Sequence, residues 1–254
     1  MKIKVFMTVT FLVLCISLLP VFAELDTIIF STEEWKDATN QDGTGLYWDI
    51  FRAIYEPENL TIKPKIRSYL GSVNLIQDKK VDAMVGAYIN EIDNVIYPKN
   101  YFAVDIVQAI YPRNPKIEWK GIETLKGKRV SWIKAYSLND YLPEKIKKTI
   151  TIREISTRKA AFKLFKIKRI DFFLDAQADL NDFFKEFSNK YPINNYVRNT
   201  ILELKLYVVF RNDLRGKQLA DIFDKRFSKL LKNGKIMELY KKYKHANFTI
   251  PSEF

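Results

Sequence analysis

Apolar positions follow two rhythms that exchange places along this chain. Residues 27–30 read as a short strand, and the polar loop STEEWKDATNQDGTG follows. The spacing of Leu46, Ile50, Phe51 and Ile54 then puts four apolar side chains on one face of a helix over Leu46–Tyr55. Thr61–Ile66 has the composition of a second strand, followed by a loop holding Tyr69, a helix around residues 73–76 and the apolar strand VDAMVGA at residues 81–87. Further on, a short amphipathic turn at residues 122–125 leads through Gly127 into a strand, Arg129–Ile133, and then a helix that Ser137 or Asn139 can cap. Residues 204–213 read as another strand. Leu219, Ile222, Phe223, Leu230 and Leu231 make a helical stripe that Gly234 ends as a left-handed cap, and Ile236, Met237 and Tyr240 begin a last helix. Strands that alternate with helices predict an α/β fold with a mainly parallel sheet.

One segment is used twice. LIQDKKVDAMVGA at residues 75–87 aligns without a gap on LFKIKRIDFFLDA at residues 164–176: helix end, basic pair, β-branched residue, Asp, apolar strand. The wide separation of the copies fits two similar lobes better than a repeat array. Ligands of open α/β sheets lie beyond the carboxyl ends of strands. Two such lobes facing each other would set Gly86, Ala87, Tyr88 and Asn90 on one wall of a cleft and residues 175–179 on the other.

Composition narrows the class. Residues 1–23 carry Lys2 and Lys4, an apolar stretch and a small-residue site before Glu24, the pattern of a cleaved secretory signal peptide. The apolar stretch is shorter than a bilayer-spanning helix needs. Leu14 is too large for a lipidation site at Cys15. Cleavage takes the formal charge from +12 to +10 and removes the only cysteine, so the mature chain has no disulfide and relies on its core. The lysines are scattered along the whole length, which fits a solvated surface and gives no reason to expect nucleic acid. The only histidine, His245, lies near the end of the chain, and no His/Cys cluster suggests a metal, so no cofactor and no enzyme activity is expected.

Four motifs in order, GTGLYWDIFRAIY, KKVDAMVGA, IETLKGKRVSW and FSKLLKNGKIMELYKKY, resemble those of the bacterial extracellular solute-binding proteins of family 3, receptors of amino-acid ABC transporters. The resemblance implies a two-lobed periplasmic-binding-protein (type II) clamshell, each lobe a mainly parallel sheet flanked by helices. It implies one lobe from residues 24–105 and 206–254 and a second from 106–205, with hinge strands near 102–106 and 203–207. It also implies a monomer in the periplasm that delivers a small-molecule solute to a permease in the inner membrane. A sensor or partner-binding role on the same scaffold is the alternative, with a dehydratase-like enzyme third.

Position by position, the resemblance places Trp35 and Tyr69 where family members hold two ligand-packing aromatics. Family members follow the strand that ends here at Ala87 with an arginine that clamps the ligand's α-carboxylate. Here that position falls on Asp93 or Asn94, and no arginine occurs between Arg67 and Arg113. The glycine-rich turn of the second lobe is replaced by Lys134 to Ser137, and the aspartate that takes the α-amino group falls on Ala176, with Asp175 one place early. The scaffold is therefore expected without its amino-acid clamp. A cleft lined by Glu91, Asp93 and Asp175 together with Trp35 and Tyr69 would suit a cationic or amine ligand.

Overall fold

The chain alternates strand and helix as β1 (Thr27–Thr32), α1 (Leu46–Tyr55), β2 (Thr61–Ile66), α2 (Tyr69–Gln77), β3 (Ala83–Tyr88), β4 (Val95–Ile96) and β5 (Ala103–Pro112). It continues through β6 (Arg129–Ile133), α3 (Leu138–Tyr141), α4 (Glu144–Lys147), β7 (Thr151–Ile155), α5 (Arg158–Lys166), β8 (Phe172–Ala176) and α6 (Gln177–Glu186). The sixteen-residue β9 (Tyr196–Arg211) and helices α7 (Leu214–Lys232) and α8 (Lys235–Lys242) follow. This computed structural model describes residues 27–134, 136, 138–246, 248–251 and 254.

The strands form a sheet in the order β2-β1-β3-β9-β5-β8-β6-β7, with β4 on β9. Its two ends repeat one plan. β1 is parallel to β2 and β3, and β6 is parallel to β7 and β8. Each parallel trio meets a long antiparallel strand, β9 on one side and β5 on the other, and these two pair with each other. Each half thus has the parallel trio expected of it, and the centre is antiparallel because the chain crosses between the two halves along these two strands. The segments expected as hinges lie side by side, with Ala103 opposite Leu206 and Ile106 opposite Glu203.

The internal echo has a structural cause. Its two copies form the end of α2 with β3 and the end of α5 with β8, each strand lying beside the first strand of its half. Lys79 and Lys168, equivalent in the alignment, both have positive φ (57° and 54°) and turn the chain from helix to strand. The equivalent acids Asp82 and Asp171 accept the backbone N–H of Ile29 (2.9 Å) and Arg129 (2.8 Å), pinning β1 and β6. The conjunction of basic turn, Asp and apolar run is therefore a device for joining a returning strand to the first one.

Three apolar clusters fill the layers. Phe30, Trp48, Phe51 and Phe102 pack between β1, α1 and the central strands, and Phe223 of α7 closes that layer from outside. In the other half Phe162 stacks on Phe183 at 4.6 Å beside Tyr191. Such ring pairs add about 0.5–1.5 kcal/mol to the burial itself. Tyr69 opens α2 and is not in a preceding loop, because the Ser68 side chain accepts the Gly71 N–H and caps the helix one residue earlier. Gly234 takes the left-handed conformation (φ 78°) between α7 and α8, as the sequence suggests.

Candidate functional site

Where the halves face each other, at the ends of β1, β3 and β8 and along β5, they enclose a cavity of about 100 Å³. The loop after β1 supplies Trp35. Its own backbone shapes the turn that holds the indole: the Trp35 carbonyl accepts from the Ala38 and Thr39 N–H groups, and the Trp35 N–H donates to Thr39 Oγ1 at 2.9 Å. The ring lies on Gly86. A methyl group there would sit 2.2 Å from Trp35 Cη2, and Gly86 has φ +95°, at the point where the pairing of β3 with β9 shifts register. Both the backbone angle and the indole therefore require glycine.

Behind the indole runs a chain of hydrogen bonds. The Tyr69 hydroxyl donates to Glu91 Oε2 at 2.6 Å, and the same oxygen accepts the Tyr88 N–H at 2.8 Å. The Tyr88 hydroxyl donates to Asp105 Oδ2 at 2.9 Å. Among the described residues Asp105 has no cationic partner. Burial, then the charge of Asp179, pushes its carboxyl up to about 7, with Glu91 adding to the rise and the Tyr88 hydroxyl opposing it. Burial and the adjacent Glu91 also drive the Tyr69 hydroxyl well above its ordinary range, so it stays a donor.

The facing half contributes Tyr136, Asp179 and Asp182 to the cavity wall. Tyr136 meets Tyr69 edge to face at 6.1 Å, and Tyr141 meets Tyr88 at 5.3 Å while its hydroxyl donates to the Ile89 carbonyl at 3.0 Å. These contacts hold the two halves together over the cavity. Near the C-terminus Phe248 packs on Tyr47 at 5.8 Å, and both rings reach the cavity wall. An outer chamber of about 910 Å³ shares Tyr69, Tyr136, Asp179 and Asp182 with the inner one.

Arg158, at the start of α5, lines the outer chamber. It donates to Asp175 Oδ2 at 2.6 Å and Oδ1 at 3.2 Å and also pairs with Asp179. Burial works against its charge, but the two carboxylates more than restore it. Burial raises the Asp175 and Asp179 carboxyls in turn, against the pull of that guanidinium. Glu33, across the cleft, is raised by burial and then by Asp179.

Of the residues singled out in the sequence, the structure brings Trp35, Tyr69 and Tyr88 together on the cavity, with Gly86 and Glu91. Lys134 lines only the outer chamber. Ala87 is buried in the opposite layer beside Met84 and Val209, because successive strand residues point to opposite faces. Asn90 and Asp93 are exposed on the turn after β3, Asn90 with φ 61°. Asp175 is fully buried and held by Arg158, so Ala176 meets the cavity in its place. Ser137 lies outside the described residues. Asn94, the other candidate for the arginine position, accepts from Asn212 away from the cavity. Sequence reasoning missed Asp105, Tyr47, Tyr136 and Phe248. Asp105 had a signal, since it is the one charge in the apolar run FAVDIVQAIY. Phe248 had none, because its approach to Tyr47 depends on the fold of α8.

No protein-family model matches the sequence, and no curated protein matches it. Solved structures do match in shape. An ABC uptake transporter substrate-binding protein from Streptococcus pneumoniae with bound histidine superposes with a TM-score of 0.64 at 17% identity, over 85% of this chain and 92% of that one. An ancestral arginine-binding protein bound to glutamine gives 0.63 at 18% identity, over 85% and 97%. A histidine kinase sensor domain with similarity to periplasmic binding proteins gives 0.67 at 18%, over 85% and 95%. These neighbours are binding proteins and a sensor domain. At such identities the likeness speaks to architecture, and this chain has the two-lobed α/β fold of the periplasmic binding proteins.

Proposed function

We propose that the protein is an extracytoplasmic solute-binding protein that captures a small polar or amine-bearing solute between two lobes and delivers it to an ABC transporter permease. The observation that carries this reading is the cavity at the crossing strands, to which one half gives Trp35, Tyr69 and Glu91 and the other Tyr136 and Asp179. A ligand touching both halves favours the closed arrangement by its differential affinity, which is how such a receptor reports occupancy. The lobes would comprise residues 24–105 with 206–254 and residues 106–205, the protein acting as a monomer in the periplasm after loss of residues 1–23. Among the described residues no helix is long and apolar enough to cross a membrane.

The likeness to a kinase sensor domain favours a second reading, in which closure reports to a protein partner. Native mass spectrometry of the purified mature protein for a co-purified small molecule, followed by thermal-shift screening, tests the receptor reading. A ligand at 100 times its Kd raises stability by about 2.7 kcal/mol. A chain that carries nothing and is stabilised by no solute would support the partner-binding reading.

A further inference from the structure

The cavity's charge and its rings together narrow the solute, and this step rests on the receptor reading above. Among the described residues, three acids, Glu91, Asp105 and Asp179, and the exposed Asp182 line it, with one cation, the exposed Lys36. The Arg158 guanidinium of the outer chamber is already bound on two carboxylates. A ligand carboxylate placed here would leave water to face further carboxylates, which costs several kcal/mol without a partner. A ligand cation would meet the opposite situation. Asp105 lies at the crossing of β5 with β9 and, among the described residues, accepts from the Tyr88 hydroxyl and feels the charges of Asp179 and Glu91, with Tyr47 and Tyr240 also near.

The walls suit the same ligand. Trp35, Tyr69 and Tyr136 offer ring surfaces around the space, and a cation over such a face gains roughly 0.5–2 kcal/mol depending on desolvation. The inner chamber, about 100 Å³, is smaller than the roughly 150 Å³ engineered cavity that holds benzene. It takes one small head group, and the remainder of a longer solute has the outer chamber.

We infer that the solute is an organic cation without a carboxylate, its ammonium or guanidinium group seated against Asp105 and Glu91 between the Trp35, Tyr69 and Tyr136 rings. The test uses matched pairs that differ only in a carboxylate: cadaverine against lysine, and agmatine against arginine, titrated calorimetrically into the mature protein at pH 8. In at least one pair the carboxylate-free member should bind ten-fold or more tighter, and Asp105→Asn should weaken it at least ten-fold. Glu91→Gln, which keeps an acceptor for Tyr69 and Tyr88, should weaken it as well. Equal or tighter binding of the amino acid, or binding of glutamine or citrate in preference to the amines, overturns the inference and leaves the receptor reading standing. If none of these solutes binds and native mass spectrometry finds no co-purified small molecule, the receptor reading itself falls, and this inference with it.

Discussion

Asp175 and Asp105 are carboxylates on neighbouring central strands, the first fully buried and the second half-buried, and they differ in their partners. Asp175 has a resident cation: Arg158 grips both of its oxygens, and the Ala176 N–H accompanies them. Asp105 has the Tyr88 hydroxyl and, among the described residues, no cation. A buried acid whose charge is matched within the chain belongs to the fold. One left for something else to match is a cost to the folded state that a ligand can relieve.

The largest expected effect comes from breaking the matched partner. Arg158→Ala strands Asp175 and Asp179 and should lower stability by about 3–5 kcal/mol in urea denaturation near pH 8. A loss under about 1 kcal/mol would mean that Asp175 needs no partner and the contrast with Asp105 has no force. Next comes the floor of the cavity. Gly86→Ala sets a methyl group on the Trp35 ring and forces a positive φ on alanine, and should cost about 2–4 kcal/mol and shift the tryptophan fluorescence. An unchanged spectrum and stability would show that Trp35 is free to move off the strand.

The third prediction addresses Asp105 itself, and its sign follows from linkage. The carboxyl titrates near 7 when folded and near its ordinary value, about 4, when unfolded, so between these pH values the folded state holds a proton the unfolded chain has lost. Its contribution to stability therefore falls as pH rises through that window and stays low above 7. Asp105→Asn removes that loss and should make the unliganded protein more stable at pH 8, on the order of 1–3 kcal/mol, with little change near pH 4. A variant destabilised at pH 8 would place Asp105 with Asp175 as a satisfied structural acid.

The smallest effect concerns closure. Tyr141→Phe removes the hydroxyl bonded to the Ile89 carbonyl across the cleft, worth about 1 kcal/mol. Small-angle scattering of the unliganded protein should show the open form gaining about five-fold in population. An unaltered scattering profile would mean that the ring contacts alone hold the halves together.

Much of the fold could be read from the chain because its signals are local. The helical spacing of Leu46, Ile50, Phe51 and Ile54 and the repeated basic turn with its Asp each act within a few residues of where they stand. Asp82 and Asp171 reach further, to β1 and β6, yet the repetition of the whole segment exposed them. The candidate site was legible only where a single local element delivers a side chain directly, as with Trp35 from the loop after β1, Tyr69 from the first turn of α2 and Tyr88 from β3. Asp175 was misplaced by strand alternation, since a shift of one residue exchanges the cavity face for the core. Tyr136 and Phe248 depend on how distant segments meet, which no local pattern encodes. The missing arginine was visible at once. The acid that meets the cavity, Asp105, stands on β5, distant in sequence from the loop where the clamp was expected though bonded to its first residue, Tyr88.

The most direct test of the account is the pH dependence of cadaverine affinity in the wild type and in Asp105→Asn. Ionisation of Asp105, surrounded by Asp179, Glu91 and tyrosine hydroxyls, should tighten binding about ten-fold between pH 6 and pH 8 in the wild type, and the asparagine variant should bind weakly with a flat profile. Tight binding with the same pH profile in both proteins would contradict it.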